Sequence, residues 1–133
     1  MRNLQERQNF LIMERFITPN DCRVNGNTDT ERIQNAIIYA SKHGIKAISI
    51  PRLTYDKRNV WVLERSLFVE EDLTIFLVGC QMQSFGADFF IKNKRERAKI
   101  VMLGDAQFNK VKEIKDETWC NNGLFQEERK KRY

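Results

Sequence analysis

Short apolar runs recur along this chain at a spacing of roughly 25 residues, within the range of stacked-repeat architectures. Ile45-Lys46-Ala47-Ile48-Ser49-Ile50 stops at Pro51, Leu73-Thr74-Ile75-Phe76-Leu77-Val78 stops at Gly79, and Lys99-Ile100-Val101-Met102-Leu103 stops at Gly104-Asp105. Their centres lie near Ile48, Ile75 and Met102. Alternate residues in the first two runs share an apolar face, the period of a half-buried strand. Between the strong runs lie weaker β-prone segments: Val60 to Leu63, Ser66 to Val69 and Ala87 to Ile91, with Cys80 and Met82 carrying the alternation past Gly79. After Gly104-Asp105 only Val111 and Ile114 alternate, weakly. Three short strands per circuit suit a β-solenoid, in which each coil adds an apolar face to a continuous interior stack.

One helix precedes the first strand. Thr28 supplies an N-cap hydroxyl, and Glu31 stands three residues on, where it can return a hydrogen bond to the cap's own N–H. Ile33, Ala36, Ile37 and Ala40 form a narrow apolar stripe at helical period. Gly44 provides a left-handed stop, with Lys42 and His43 in the last turn where the dipole favours cations. A first coil would expose unpaired backbone groups and an open apolar end, and terminal caps answer that need. The stripe is therefore expected to lie on Ile48, Ile50, Ile75 and Leu77. No comparable lid follows Leu103, so the solenoid is expected to be incomplete.

The chain divides into an N-terminal extension (1–20), a body of capping helix plus about three coils (21–115) and a charged tail (116–133). Its 133 residues suffice for one domain with a core, and 41% hydrophobic with 31% charged residues exclude a disordered composition. No apolar run approaches the ~20 residues that span a bilayer. The patch Phe10 to Met13 is too short for a signal peptide's apolar region.

Composition also narrows the chemistry. Cys22, Cys80 and Cys120 are too widely spaced for a metal site or a disulfide framework, and His43 is the sole histidine. No cofactor or metal is called for. The net charge of +5 brings anionic partners into view. Its clusters, Lys92 to Lys99 and Arg129 to Arg132, lack the interleaved aromatics that stack bases, and read as a solvated loop and a tail rather than a nucleic-acid site. Glu70-Glu71-Asp72 reads as a solvated acidic turn. Asp88 and Asp105 stand at strand ends. Of the two tryptophans, Trp61 sits in a strand and reads as core, and Trp119, in polar surroundings, is the candidate sugar-stacking platform.

Gly26-Asn27-Thr28-Asp29-Thr30, Ile33-Gln34-Asn35-Ala36-Ile37, Gly44 and Ala47-Ile48-Ser49-Ile50-Pro51 together resemble the N-terminal region of pectate-lyase-superfamily right-handed parallel β-helices, which include polygalacturonase-like glycoside hydrolases and phage tailspikes. Trp61 to Gln83 looks like that family's next coil, so the resemblance spans about residues 16–103. Arg23, Val24 and Asn25 depart from the small and acidic residues usual in the opening turn. The resemblance implies a carbohydrate-active protein, glycoside hydrolase or polysaccharide lyase in type, whose catalytic residues belong to central coils and are not expected here. Asn27-Thr28-Asp29 spells a polygalacturonase catalytic motif, but its place at a helix start gives Thr28 and Asp29 a capping role instead. The alternative is a non-catalytic binding or assembly module of tailspike or cell-surface kind. Polysaccharide is the implied partner, with homo-oligomers forming through the open end of the solenoid.

Overall fold

The computed structural model describes residues 15–111. They are mostly strand with one helix. Helix α1 (Asp29–His43) is followed by β1 (Ala47–Ile50), β2 (Val60–Leu63), β3 (Leu67–Val69), β4 (Thr74–Val78), β5 (Gln81–Phe85), β6 (Phe89–Ile91), β7 (Lys99–Leu103) and β8 (Gln107–Val111). All pairing between strands is parallel, in three open sheets of order β1-β4-β7, β2-β5-β8 and β3-β6. The chain visits the sheets in one fixed order: twice in full, then through the first two again.

Sequence alternation becomes stacked rows, because parallel register places same-face residues over one another. Ile48, Ile75 and Ile100 form one row, and Ile50, Leu77 and Met102 the next. Trp61, Met82 and Phe108 line up in the second sheet, and Leu67 with Phe89 in the third. Ile48, Ile50, Trp61, Ile75, Leu77, Met82 and Phe89 lose all their exposure. Each such aliphatic side chain contributes about 1.5–3 kcal/mol by burial. The third strong run stacks with Ile100, not Met102, over Ile75. The run Ile100-Val101-Met102-Leu103 is apolar at every position, so by itself it marks neither the inward face nor the register. β8 is polar and was not legible as a strand; its pairing with β5 defines it. Ile114 lies outside the described residues.

The helix ends match their sequence signals, with one shift. Thr28 Oγ1 accepts from the Glu31 N–H at 3.1 Å, but Glu31 Oε1 accepts from the Asn27 N–H at 2.8 Å rather than from the cap residue's own amide. Gly26, at φ 151°, lies directly against the Arg32 backbone, and this bend brings the Asn27 amide over Glu31. Gly44 ends the helix at φ 67°, its N–H donating to Ala40 O. Ile33, Ala36 and Ala40 are fully buried and Ile37 nearly so. The helix packs chiefly on β1 and β2, not on the β1 and β4 pair expected from Ile48, Ile50, Ile75 and Leu77. It lies across the first strands of two sheets instead of along one stack.

Candidate functional site along the outer edge of the first strands

In each sheet the first strand has one edge paired to its successor and one facing away. That outer edge carries backbone groups with no strand to satisfy them. On β1 a single residue supplies the partner: Ile17 N–H donates to Ala47 O at 3.2 Å, and Ser49 N–H donates to Ile17 O at 2.9 Å. Ile17 is buried by this insertion.

On β2 side chains take that role. Asp29 Oδ2 accepts from the Val62 N–H at 2.9 Å. Thr30 Oγ1 donates to Val62 O at 3.1 Å and accepts from the Glu64 N–H at 2.9 Å. Arg58 Nη1 donates to Val60 O at 3.3 Å, and its Nη2 reaches Asp29 Oδ1 at 2.6 Å. Three side chains thus satisfy four consecutive outward groups, as a neighbouring strand would. The loop before β2 aims Arg58. Thr54 Oγ1 accepts from the Arg58 N–H, Thr54 N–H donates to Arg58 O, and Asp56 grips the guanidinium at 3.0 Å. Hydrogen bonds from Arg58 and Thr54 hold the Asp56 carboxyl down at about 2.

Arg32 organises the turn that leads into the helix. It is 8% exposed, and its guanidinium donates to Pro19 O and Val24 O at 2.9 Å and to Gly26 O at 3.4 Å. Tyr55 covers it, with the Arg32 Cζ 3.8 Å from the ring centroid.

The outer edge of β3 is different. Ser66 O, Phe68 N–H, Phe68 O and Glu70 N–H have the same alternation as the four sealed groups of β2, but no partner among the described residues. Beside this edge, between β3 and α1, two adjoining hollows of about 270 and 360 Å³ share Ile37, Ile38, Phe68 and Lys92 as walls. Phe68 is 56% exposed and Ile38 42%. Lys46–Asp72 (2.6 Å) and Lys92–Glu70 (3.3 Å) pair across the rim. Lys42 and Arg65 also line the hollows, and neither meets a carboxylate among the described residues; Arg65 donates to the amide oxygen of Gln34.

The residues singled out from sequence fall into place unevenly. Trp119 and Cys120 lie outside the described residues, as does the tail from 116. Trp61 is wholly buried, its Nε1–H donating to Pro51 O at 2.7 Å, and presents no face to a sugar. Asn27-Thr28-Asp29 is a cap and an edge clip. The acidic turn and the first basic cluster meet: Glu70 pairs with Lys92, and Glu71 with Lys94 at 3.0 Å. Asp88 is 3% exposed and holds Arg97 at 2.9 Å, Lys110 at 2.6 Å and the Phe89 N–H at 2.7 Å. Burial opposes its charge, yet these donors outweigh burial and keep its carboxyl below the ordinary value. His43 Nδ1 sits 2.9 Å from Tyr39 O, with its ring stacked on the tyrosine. Cys80 is buried and Cys22 exposed. Among the described residues no group of three or more acids, histidines or cysteines could hold a metal ion.

Arg32 and Arg58 had no place in the sequence reading, and Asp88 entered it only as an acid at a strand end. A signal existed for Arg32, since it falls four residues before Ala36 on the apolar stripe, where a charge needs a buried reason. Nothing local marked the roles of Arg58 and Asp88, which depend on Asp29 and Lys110, each more than twenty residues away.

Comparison with protein-family models gives no match, and neither do comparisons with curated proteins and with solved structures.

Proposed function

We propose that this chain forms the capped first coils of a right-handed parallel β-helix of polysaccharide-directed kind, and that it acts as a non-catalytic capping and binding module. The sealed outer edge of β1 and β2 carries the reading. Ile17, Asp29, Thr30 and Arg58 spend their polar groups on closing the start of a stack, which is what a terminal cap requires. The fixed order of visits to three parallel sheets supports a solenoid, and the strong preference for right-handed crossovers supports its hand.

The carboxylates support the non-catalytic reading. A glycosidase needs two acids, about 5–5.5 or 6.5–9.5 Å apart, free to exchange protons with substrate. The two buried acids among the described residues, Asp29 and Asp88, are each committed to a cation and a backbone N–H. Polysaccharide as partner rests on the family resemblance of residues 16–103 and on one surface. Gln81 stacks with Gln107, and Gln83 with Asn109, on the face of the second sheet opposite buried Met82. Four side-chain amides in two rows offer donors and acceptors to sugar hydroxyls. The net charge of +5 favours an acidic polymer.

Co-sedimentation with cross-linked polygalacturonate tests binding, with reducing ends counted in parallel. The expected result is retention that weakens several-fold in the Gln83→Ala/Asn109→Ala double variant, with no new reducing ends. Cleavage by the chain itself would overturn the non-catalytic reading, and failure to bind any acidic polysaccharide would remove the partner.

A further inference from the structure

We propose that the outer edge of β3 and the groove beside it receive an extended peptide from a partner, with an acidic residue on each side of a short apolar run. The contrast between the three first strands carries the argument. Ile17 seals β1, and Asp29, Thr30 and Arg58 seal β2 group by group. On β3 the matching four backbone groups, from Ser66 O to Glu70 N–H, have no partner among the described residues. An unsealed edge is a template for strand addition, where main-chain hydrogen bonds supply affinity and alternate side chains enter pockets.

The groove has the form that such a strand needs. It runs alongside β3 from Gln34 and Arg65 at one end to Lys42 and Asp72 at the other. The four edge groups extend over roughly 13 Å at the rise of a strand, the length of about four or five peptide residues. Ile37, Ile38, Leu67, Phe68 and Leu73 make its walls apolar, and the exposure of Ile38 and Phe68 leaves surface for a visiting side chain to cover.

Charge selects the ends of the peptide. Two of the rim lysines, Lys46 and Lys92, are neutralised by Asp72 and Glu70. Lys42 and Arg65 stand at opposite ends of the groove without a carboxylate among the described residues. A peptide that is apolar in the middle and acidic at both ends matches this pattern, and one with basic ends meets repulsion. A second copy of the chain would bring the same two cations against each other.

The test uses the full chain and a fluorescently labelled synthetic peptide, Asp-Asp-Val-Phe-Val-Asp-Asp, with anisotropy as the readout. Binding is expected at moderate salt, at least tenfold tighter than that of the same peptide with lysine ends. Methylating the nitrogen of a central peptide bond should abolish it, since a strand then loses a ladder donor. The Lys42→Glu/Arg65→Glu variant should reverse the preference in favour of lysine ends. Phe68→Ser, on an exposed position, should weaken binding about fivefold without changing the far-ultraviolet spectrum. Equal binding of both peptides, indifference to methylation or charge reversal, or exclusion of the acidic peptide from the full chain would each overturn the proposal. Exclusion with dimeric sedimentation would name a second copy as the occupant, and exclusion from a monomer would name the chain's own residues.

Discussion

Replacing Asp29 with alanine tests whether side chains truly stand in for a strand on β2. The substitution removes the acceptor of the Val62 N–H and one of the two carboxylates that hold Arg58. A partly buried amide left without a partner costs about 1–2 kcal/mol. Loss of an acid from the first helical turn adds about 0.3–1 kcal/mol through the dipole. The ion pair contributes little beyond this, because Arg58 is about half exposed and keeps Asp56. The sum is about 2 kcal/mol, which lowers the midpoint of thermal unfolding by several degrees for a chain of this size. Asp29→Asn should cost less than the alanine variant, since one oxygen remains to accept from Val62. Urea unfolding followed by circular dichroism measures the sum. Hydrogen exchange localises it, with the Val62 amide losing protection before the amides of β4 do. An alanine variant within 0.5 kcal/mol of the parent, with Val62 still protected, would refute the reasoning: the edge would then be sealed by something other than Asp29.

Arg32→Met keeps the volume of the stem but leaves Pro19 O and Val24 O without their donor, and should cost about 2–4 kcal/mol in urea unfolding. Burial pushes the Cys80 thiol up to about 11, so at neutral pH an aromatic disulfide reagent should label exposed Cys22 at once and Cys80 only at the rate of unfolding. Asp88 has its folded pKa depressed below 3.8, so the stability it contributes is present above that value and drains away as the pH falls through the folded pKa. Asp21 and Asp56, held at about 2 by Arg23 and by Arg58 with Thr54, act in the same window. Stability should therefore fall between pH 4 and 2, and Asp88→Asn should show a shallower fall than the parent in urea titrations across that range.

The strands and the helix were legible because their information is local. Ile48 and Ile50, or Leu73, Ile75 and Leu77, declare a buried face within a few residues, and Thr28 and Gly44 mark the helix ends by their own chemistry. The face and register of β7 were not legible: Ile100-Val101-Met102-Leu103 is apolar at every position, and only the pairing puts Ile100 over Ile75. The seal on β2 was not legible at all. Asp29 and Thr30 look like any acidic first turn, and their use of Val62 and Glu64 depends on where the helix lands. The same holds for Asp88, whose role needs Arg97 from the next loop and Lys110 from β8. Long-range polar pairing leaves no period in a sequence.

Those polar pairs also say how the stack changes from one end to the other. The row that begins with Leu63 continues with Ser84 and then Lys110, while its neighbour runs Trp61, Met82, Phe108. Leu63 and Ser84 are fully buried, and Ser84 is satisfied by the backbone of Ala87. Lys110, on the same inward row, spends its charge on Asp88. An inward charge on an edge strand resists pairing with an apolar row from another chain. Any strand added beyond β8 would have to bring a polar residue over Lys110, whereas one added to β7 would meet Ile100 and Met102. β1 and β2 are thus protected by satisfying their backbone, and β8 by a charge in its inward row. Among the described residues the outer edge of β3 has neither device, and this difference from β1 and β2 is what the proposed docking of a partner strand rests on.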